Sequence, residues 1–256
     1  MTTLKTLLVQ ADIEWNAAAS NRTRLQTMLE SRSSEFDLAV LPETFTTGFL
    51  GDAGGNDEGM DGPSVEWMHN MSARHDCAVA GSLVICEDGK RFNRFLFVTP
   101  EGVAATYDKR HLFSYGGEDG HYTAGTERVI FSWKGWRINL QTCYDLRFPA
   151  WCRNRNDYDL MLLVANWPVR RIHHWSCLLE ARAIENQSWV IGLNRTGRDG
   201  NNLEYPGCSV VHGPMGETFV KLGDEETCSL VEMDLSVVQK ARGRFPFLED
   251  ADSFTL

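Results

Sequence analysis

Short apolar runs alternate with longer segments of helical period along the chain, and this pattern predicts a layered α/β protein. The apolar runs are predicted strands and cover residues 4–10, 37–41, 77–85, 94–99, 103–107, 129–133, 137–142, 160–165, 189–194, 208–212 and 229–233. Helices are predicted to begin near Ser20, Pro63, Arg147, His173 and Leu235. Because strands far outnumber helices, most strand connections cannot contain a helix.

Two connections have the composition of hairpin turns, Thr-Pro-Glu-Gly at 99–102 and Gly-Pro-Met-Gly-Glu at 213–217. Hairpins join antiparallel strands, so the sequence predicts mixed sheets in a two-sheet sandwich with outer helices. No linker rich in Pro, Gly or Ser divides the chain, and a single domain over residues 1–256 is therefore predicted. The polar segments 51–62 and 114–125 are predicted surface loops that could wall a site.

The composition and the charge indicate which kinds of binding partner and which cellular compartment to expect. The 25 basic and 35 acidic residues give a net charge of −10 with no local basic cluster, which argues against a nucleic-acid partner. The longest apolar run covers residues 160–165, far short of the about 20 residues that span a membrane. The first residues lack the pattern of a signal peptide, and the seven cysteines show no C-x-x-C spacing. We therefore expect a cytoplasmic protein without a membrane segment or a metal site.

Four polar residues follow apolar strands at the point where each strand ends: Glu43, Lys109, Cys143 and Asn166. Ligand crevices form at such strand ends in α/β sheets, so the four side chains meet in one pocket if their strands are neighbours. Each residue also has a simpler interpretation on its own. Glu43 could cap a helix, Lys109 could be a solvated charge, and Cys143 could be a buried thiol.

Cys143 differs from the other cysteines in its setting. The segment after it can turn the strand into a helix, with Asp145 as N-cap and Pro149 in the first turn. Free backbone N–H groups and the positive end of the helix dipole would then favour the thiolate. Cys143 is therefore the best candidate nucleophile.

Two alternatives remain open from these residues. A peptidase or glutamine amidotransferase of the Cys-His type would use His173 or His174 as its base, although neither histidine follows a strand. A non-catalytic sandwich that binds other proteins would need none of these side chains. Release of ammonia from an amide would separate the enzyme from the interaction module.

Five segments carry a resemblance to a known family: 41–45 (Leu-Pro-Glu-Thr-Phe) with Thr47 and Gly48, 107–113 (Tyr-Asp-Lys-Arg-His-Leu-Phe), 143–149 (Cys-Tyr-Asp-Leu-Arg-Phe-Pro), 165–168 (Ala-Asn-Trp-Pro) and 182–187 (Arg-Ala-Ile-Glu-Asn-Gln). In these segments the sequence resembles the nitrilase superfamily of carbon-nitrogen hydrolases. The last two look like the omega-amidase branch, which acts on 2-oxo acid monoamides.

The resemblance implies a catalytic triad of Glu43, Lys109 and Cys143, with Glu118 as a second carboxylate near the lysine. It implies a four-layer αββα sandwich that pairs into a homodimer through the predicted helices 147–156 and 173–187. The implied reaction cleaves the terminal amide of 2-oxoglutaramate or 2-oxosuccinamate through a cysteine thioester, with no cofactor or metal. Nitriles, N-carbamoyl compounds and acyl transfer share the same triad and stay open.

The chemistry of amide hydrolysis assigns a role to each of these groups. Cys143 attacks the amide carbon, and Glu43 takes the thiol proton and passes it to the leaving nitrogen. Lys109 and the backbone N–H of Tyr144 are predicted to bind the oxyanion.

Recognition of the substrate carboxylate requires a local cation in a chain of net charge −10. Arg147 is the candidate, with a structural ion pair to Asp145 or Glu185 as the alternative. The remaining residues predicted to line the pocket are Phe45, Phe148, Asn166 and Trp167.

Overall fold

The computed structural model describes residues 2–32, 35–50 and 57–255, and two six-stranded sheets form the centre of this part of the chain. The strands are β1 (Thr3–Gln10), β2 (Leu38–Val40), β3 (Ala78–Glu87), β4 (Lys90–Thr99), β5 (Gly102–Asp108), β6 (Ile130–Trp133), β7 (Trp136–Thr142), β8 (Leu160–Ala165), β9 (Trp189–Asn194), β10 (Thr196–Arg198), β11 (Glu204–Pro206), β12 (Val210–His212), β13 (Thr218–Lys221) and β14 (Thr227–Asp234). The helices are α1 (Ala18–Glu30), α2 (Pro63–His75), α3 (Pro149–Cys152), α4 (Ile172–Asn186) and α5 (Leu235–Arg244).

The two sheets have the same plan. The first has the order β14-β1-β2-β3-β4-β5 and the second β13-β12-β9-β8-β7-β6. In each sheet three central strands are parallel, β1-β2-β3 and β7-β8-β9, and antiparallel strands flank them. The prediction of mixed sheets is confirmed, and both predicted hairpin turns join antiparallel strands.

The inner faces of the two sheets pack against each other. Leu8 and Val40 of the first sheet and Leu140 and Leu162 of the second belong to one buried apolar cluster. Helices cover the outer faces: α1 and α2 bury Leu25 and Met68 against the first sheet, and α4 packs on the second. The four layers are αββα, as the resemblance implies. Because both faces of each sheet are covered, its central strands are continuous apolar runs.

All eleven predicted strands are present, and β10, β11 and β13 are additional. These three have only three or four residues each and carry mostly exposed or half-exposed side chains. A short strand at the surface has no apolar run, so its sequence gives no signal.

The predicted helix over 147–156 is wrong. The chain forms a 3₁₀ turn over Cys143–Arg147, α3 adds a single turn, and the backbone becomes extended at Arg153. The side chain of Asn154 then accepts a hydrogen bond from the N–H of Asp157 at 2.9 Å. This local polar contact replaces the helical hydrogen bonds that a longer helix would form.

Of the predicted loop 51–62, residues 51–56 lie outside the described residues. Within the described ranges, no helix has the length and apolar character needed to cross a bilayer.

Candidate active site

The four polar residues at strand ends come from two sheets and not from neighbouring strands of one. Glu43 and Lys109 follow β2 and β5 of the first sheet, whereas Cys143 and Asn166 follow β7 and β8 of the second. Their strands end on the same side of the sandwich, where the loops of the two sheets meet. Three of the four residues, Lys109, Cys143 and Asn166, line one cavity, and Glu43 is buried beside them.

Lys109 lies between two carboxylates in the interior. Its Nζ is 3.0 Å from Glu43 Oε1, and it is 3.0 and 2.8 Å from the two carboxylate oxygens of Glu118. All three side chains are at most 1% exposed. Burial alone would lower the pKa of Lys109, but the charges of Glu118 and Glu43 outweigh it and hold that pKa well above its usual value. Lys109 is therefore an ammonium group throughout the physiological range.

Glu118, and not its neighbour Asp119, is the second carboxylate beside Lys109. The Glu118 side chain is buried, whereas Asp119 is exposed. Glu118 Oε2 also accepts a hydrogen bond of 2.6 Å from the N–H of Phe113. Burial raises the pKa of Glu118, with the charge of Lys109 opposing the rise and that of Glu43 adding to it.

Glu43 is held by donors from both sheets. Its Oε2 accepts hydrogen bonds from the backbone N and the Nδ2 of Asn166 at 2.7 and 3.2 Å. Its Oε1 accepts from Nδ2 of Asn93 on β4 at 2.8 Å. Asn93 was not predicted as a site residue. It lies in β4 directly before the predicted strand 94–99, between Phe92 and Arg94. These donors orient both oxygens of the carboxylate.

Cys143 begins the turn after β7 in a left-handed conformation, with φ +45°. This conformation costs a non-glycine residue on the order of 1–3 kcal/mol and is typical of functional turns. Burial raises the pKa of the thiol, Glu43 raises it further through its charge and a hydrogen bond, and Lys109 opposes the rise. The direction of this pKa runs against the expectation that the turn favours the thiolate.

Asp145 holds the turn in place but is its third residue and not its N-cap. Its Oδ2 accepts hydrogen bonds from Thr142 N at 3.0 Å and from the hydroxyl of Tyr107 at 2.7 Å. Its Oδ1 accepts from His111 N at 3.0 Å. Tyr107 and His111 flank Lys109 in the chain, so Asp145 ties the lysine segment to the cysteine turn.

A cavity of about 470 Å³ opens at this cluster. Its described lining contains six of the predicted site residues, namely Lys109, Cys143, Tyr144, Arg147, Asn166 and Trp167. The remaining lining residues are Phe49, Leu50, Phe113, Tyr115, Gly116, Pro168, Arg170, Arg171, Asp199, Asn201, Leu203 and Tyr205. The predicted loop 114–125 thus contributes to one wall, whereas the lining residues within 199–205 were not predicted.

Phe45 and Phe148 do not belong to the described lining, in contrast to their prediction. Phe45 is completely buried in the core, with its ring 5.7 Å from that of Trp67. Phe148 stacks on His111 with ring centroids 3.6 Å apart and faces a second cavity. Phe45 buries its whole ring in this packing, which an open cavity would not allow.

Arg147 lines the cavity without an acidic partner among the described residues. Its guanidinium lies 4.9 Å from the ring centroid of Trp167, and its Nη2 atom is 3.1 Å from His174 Nδ1. Glu185, one of the predicted ion-pair partners, binds Arg182 at 2.8 Å instead. The structural alternative for Arg147 is therefore not formed.

The two histidines of the Cys-His alternative have other neighbours. His173 lies 3.6 Å from Cys177 Sγ on α4, and His174 contacts Arg147. Cys143 Sγ contacts the backbone oxygen of Asn166 at 3.9 Å. This arrangement favours the carboxylate as the base.

Known proteins share this fold and chain length. A family model described as carbon-nitrogen hydrolase matches residues 6–243. The omega-amidase YafV of Yersinia enterocolitica is 45% identical over 257 residues, with 100% of both chains covered. The 2-oxoglutaramate amidase of Bacillus subtilis (strain 168) is 33% identical over 249 residues, covering 94% of this chain and 95% of the relative.

A solved structure agrees with the sequence relatives. The crystal structure of XC1258 from Xanthomonas campestris, a CN-hydrolase superfamily protein with an arsenic adduct in its active site, superposes with a TM-score of 0.97. It is 44% identical and covers 100% of both chains. The chain therefore belongs to the carbon-nitrogen hydrolase family, and it is an amide-hydrolysing enzyme of the omega-amidase-like branch of the nitrilase superfamily.

Proposed function

We propose that this enzyme cleaves the terminal amide of small 2-oxo dicarboxylic acid monoamides, such as 2-oxoglutaramate and 2-oxosuccinamate, to the acid and ammonia. The proposal is supported by one cavity that is lined by Cys143, Lys109 and Arg147. Lys109 is paired with the buried carboxylates of Glu43 and Glu118, whereas Arg147 has no acidic partner among the described residues. The names of the omega-amidase and 2-oxoglutaramate amidase relatives point to the same substrate class.

In the first step the sulfur of Cys143 attacks the amide carbon, and the thiol proton moves to Glu43. The C–S bond forms while the carbonyl electron pair moves to oxygen. Since burial raises the pKa of the thiol, a base is required at neutral pH, and Glu43 is the acceptor beside it.

In the second step Glu43 gives its proton to the substrate nitrogen, the C–N bond breaks and ammonia leaves. A thioester on Cys143 remains. Water then attacks the thioester carbon while Glu43 takes one of its protons. The C–S bond breaks, the acid product leaves, and the sulfur recovers its proton.

The tetrahedral oxyanion needs donors that are oriented before the reaction. We assign this role to the ammonium of Lys109 and to the backbone N–H of Tyr144 in the first turn after the nucleophile. Such donors commonly contribute about 3 to 4 kcal/mol each. Glu118 would act through Lys109, because its two contacts fix the position and charge of the ammonium.

Arg147 is assigned to the carboxylate at the other end of the substrate. The overall charge of −10 repels anions, so a local cation must provide the attraction. The guanidinium lies over the ring of Trp167, and Nη2 contacts His174. Its donors have no acidic partner among the described residues, so a substrate carboxylate can take that place. Asn166 and Trp167 complete the binding residues.

We further propose that the enzyme is a single domain and forms a cytoplasmic homodimer through the outer face of α4. That face is exposed and carries Cys177, Glu180 and Ile184. Light scattering during size-exclusion chromatography should give twice the mass of the 28.9 kDa chain. A monomer at micromolar concentration would contradict the dimer and leave the reaction untouched.

Release of ammonia from a panel of amides tests the function. The panel contains 2-oxoglutaramate, 2-oxosuccinamate, L-glutamine, a simple nitrile and an N-carbamoyl amino acid. The two oxo-acid amides should have the highest kcat/KM. Preference for the nitrile or the carbamoyl compound would refute the substrate assignment.

Cys143→Ala tests the mechanism separately. This variant should release no ammonia, and no acyl adduct should be found on its peptide by mass spectrometry. Cys86→Ala, at a half-buried cysteine on β3, is the matched control and should keep normal turnover. Full turnover in Cys143→Ala would refute the thioester mechanism.

A further inference from the structure

We propose that Arg171 is a specificity-determining residue that makes the cavity select 2-oxo acid amides over α-amino acid amides. This inference rests on the proposed function and adds a second cation to the one assigned to Arg147. Arg171 lines the same cavity as Cys143 and lies at the end of the turn that follows Asn-Trp-Pro.

One tryptophan positions both arginines. The Nε1–H of Trp167 donates a hydrogen bond of 2.7 Å to the backbone oxygen of Arg171. The face of the same indole carries the guanidinium of Arg147 at 4.9 Å. Trp167 therefore holds the backbone of Arg171 and contacts the guanidinium of Arg147, directly after the strand end at Asn166.

The guanidinium of Arg171 also has a fixed support. It lies 5.1 Å from the ring centroid of Phe113, whose N–H is bound to Glu118 at 2.6 Å. Stacking uses the face of a guanidinium and leaves its edge N–H donors for a planar anion. The segment that supplies the carboxylate beside Lys109 thus also holds this cation.

The charges around the cavity do not cancel within the described lining. Lys109 is balanced by Glu43 and Glu118. Asp199 is the acidic lining residue of the described part, and its carboxylate already accepts from Tyr205 Oη at 2.8 Å and from the N–H groups of Asn201 and Leu203 at 2.9 Å. No carboxylate among the described residues pairs with Arg147 or Arg171.

The two guanidinium groups of Arg147 and Arg171 in one cavity can distinguish between otherwise similar substrates. A 2-oxo acid amide brings a carboxylate and a neutral oxo group, and both accept hydrogen bonds from guanidinium. An α-amino acid amide places an ammonium group beside the carboxylate. One guanidinium can tolerate that ammonium at a distance, but a second guanidinium repels it. Arg171 should therefore reject glutamine as well as bind the oxo acid.

The test compares kcat/KM on three five-carbon amides: anionic 2-oxoglutaramate, zwitterionic L-glutamine and neutral pentanamide. In Arg171→Gln, kcat/KM for 2-oxoglutaramate should fall about 10- to 100-fold, mainly through KM, as expected for loss of a hydrogen bond to a charged group. The kcat/KM for neutral pentanamide should be unaffected. The ratio of kcat/KM for 2-oxoglutaramate to that for L-glutamine should fall, because the variant also loses the repulsion of the glutamine ammonium group. Arg171→Lys keeps the charge and should retain part of the preference.

Arg244→Gln is the matched variant, because it removes the same charge from an arginine that also lies over an aromatic ring, that of Phe245, but does not line this cavity. Arg244 is exposed, so the effect of its substitution should stay within about threefold, as for hydrated surface charges. Equal effects of the two variants would show that the substrate preference comes from the net charge of the whole protein, and this would overturn the role of Arg171. An unchanged preference in Arg171→Gln would overturn it as well.

A second readout does not depend on the substrate. Iodoacetate and iodoacetamide alkylate Cys143 with release of iodide, and they differ in charge. The rate ratio of iodoacetate to iodoacetamide, measured on the Cys143 peptide by mass spectrometry, should fall in Arg171→Gln and stay unchanged in Arg244→Gln, a remote stacked arginine. A fall in this ratio without hydrolysis of any oxo-acid amide would refute the proposed function and support the anion site. Hydrolysis of the oxo-acid amides with an unchanged rate ratio would support the proposed function and refute the anion site at Arg171.

Discussion

Two charged regions face the same cavity, and they are built on opposite principles. In the buried cluster of Glu43, Lys109 and Glu118, each charged group contacts an opposite charge at 2.8–3.0 Å. In the arginine rim, formed by Arg147 and Arg171, aromatic rings support the guanidinium faces and no acidic residue of the described chain pairs with them. The reaction needs groups whose protonation states are fixed by neighbouring charges. Substrate recognition needs cations whose anionic partner is the substrate carboxylate.

The energetic consequences differ accordingly. Removing one member of the buried cluster leaves an uncompensated charge in the interior, which is costly for the fold. Removing a member of the rim leaves no unpaired buried charge, because the rings that contact Arg147 and Arg171 are neutral. Variants of the cluster should therefore affect kcat or stability, and variants of the rim should affect KM.

Glu43→Gln should have the largest effect. The amide keeps the shape and the contacts to Asn166 but cannot accept the thiol proton, so kcat should fall about 1,000-fold or more, within the range for loss of a general base. Steady-state ammonia release measures the fall, and circular dichroism checks the fold. Glu127→Gln, at an exposed carboxylate, is the control. A loss below about tenfold would show that another group takes the proton.

Lys109→Met should reduce the free energy of unfolding at pH 7 by about 3–5 kcal/mol, because two buried carboxylates lose their cation. Burial already raises the pKa of Glu118, and loss of Lys109 removes the charge that opposes this rise. The folded variant then binds more protons than the unfolded chain, so its stability should increase as the pH falls towards 5. Urea unfolding at several pH values measures this. A deficit independent of pH would contradict the charge-based explanation.

Arg147→Lys should act on the rim without affecting the chemistry. Lysine keeps the charge but loses the stacked, bidentate geometry, so KM for 2-oxoglutaramate should rise about 10-fold. The kcat for this substrate and the kcat/KM for pentanamide should change little. Equal losses on the anionic and the neutral amide would indicate a structural role for Arg147.

His174→Ala should have the smallest effect. The imidazole contacts Arg147 at 3.1 Å from outside the cavity, so its loss should raise KM for the oxo acid by about two- to threefold, as for one weak hydrogen bond. Initial rates over a range of substrate concentrations separate KM from kcat. A fall in kcat comparable to that of Glu43→Gln would revive the Cys-His alternative.

The motif segments and strand ends predicted Glu43 and Lys109 of the buried cluster, because both residues follow strands that the apolar pattern makes visible. Glu118 follows no such strand, and it was expected only from the family resemblance. Asn93 was missed because it lies inside β4, where a polar side chain carries no indication of its partner. Phe45 was assigned to the cavity because it follows Glu43, yet its ring turns towards Trp67 in the core. Sequence proximity to a catalytic residue does not determine the direction of a side chain.

The amino-acid sequence by itself determined the layered α/β architecture, because strands that are buried on both faces consist of continuous apolar residues, which are visible in the sequence. It also determined the set of reactive groups. Only the tertiary structure decided that the ends of strands from two sheets meet, that burial and Glu43 raise the pKa of Cys143, and that Arg147 and Arg171 have no acidic partner among the described residues. Protonation and charge balance depend on burial and on distances of a few ångströms between groups far apart in the chain, and these distances exist only once the sheets have packed.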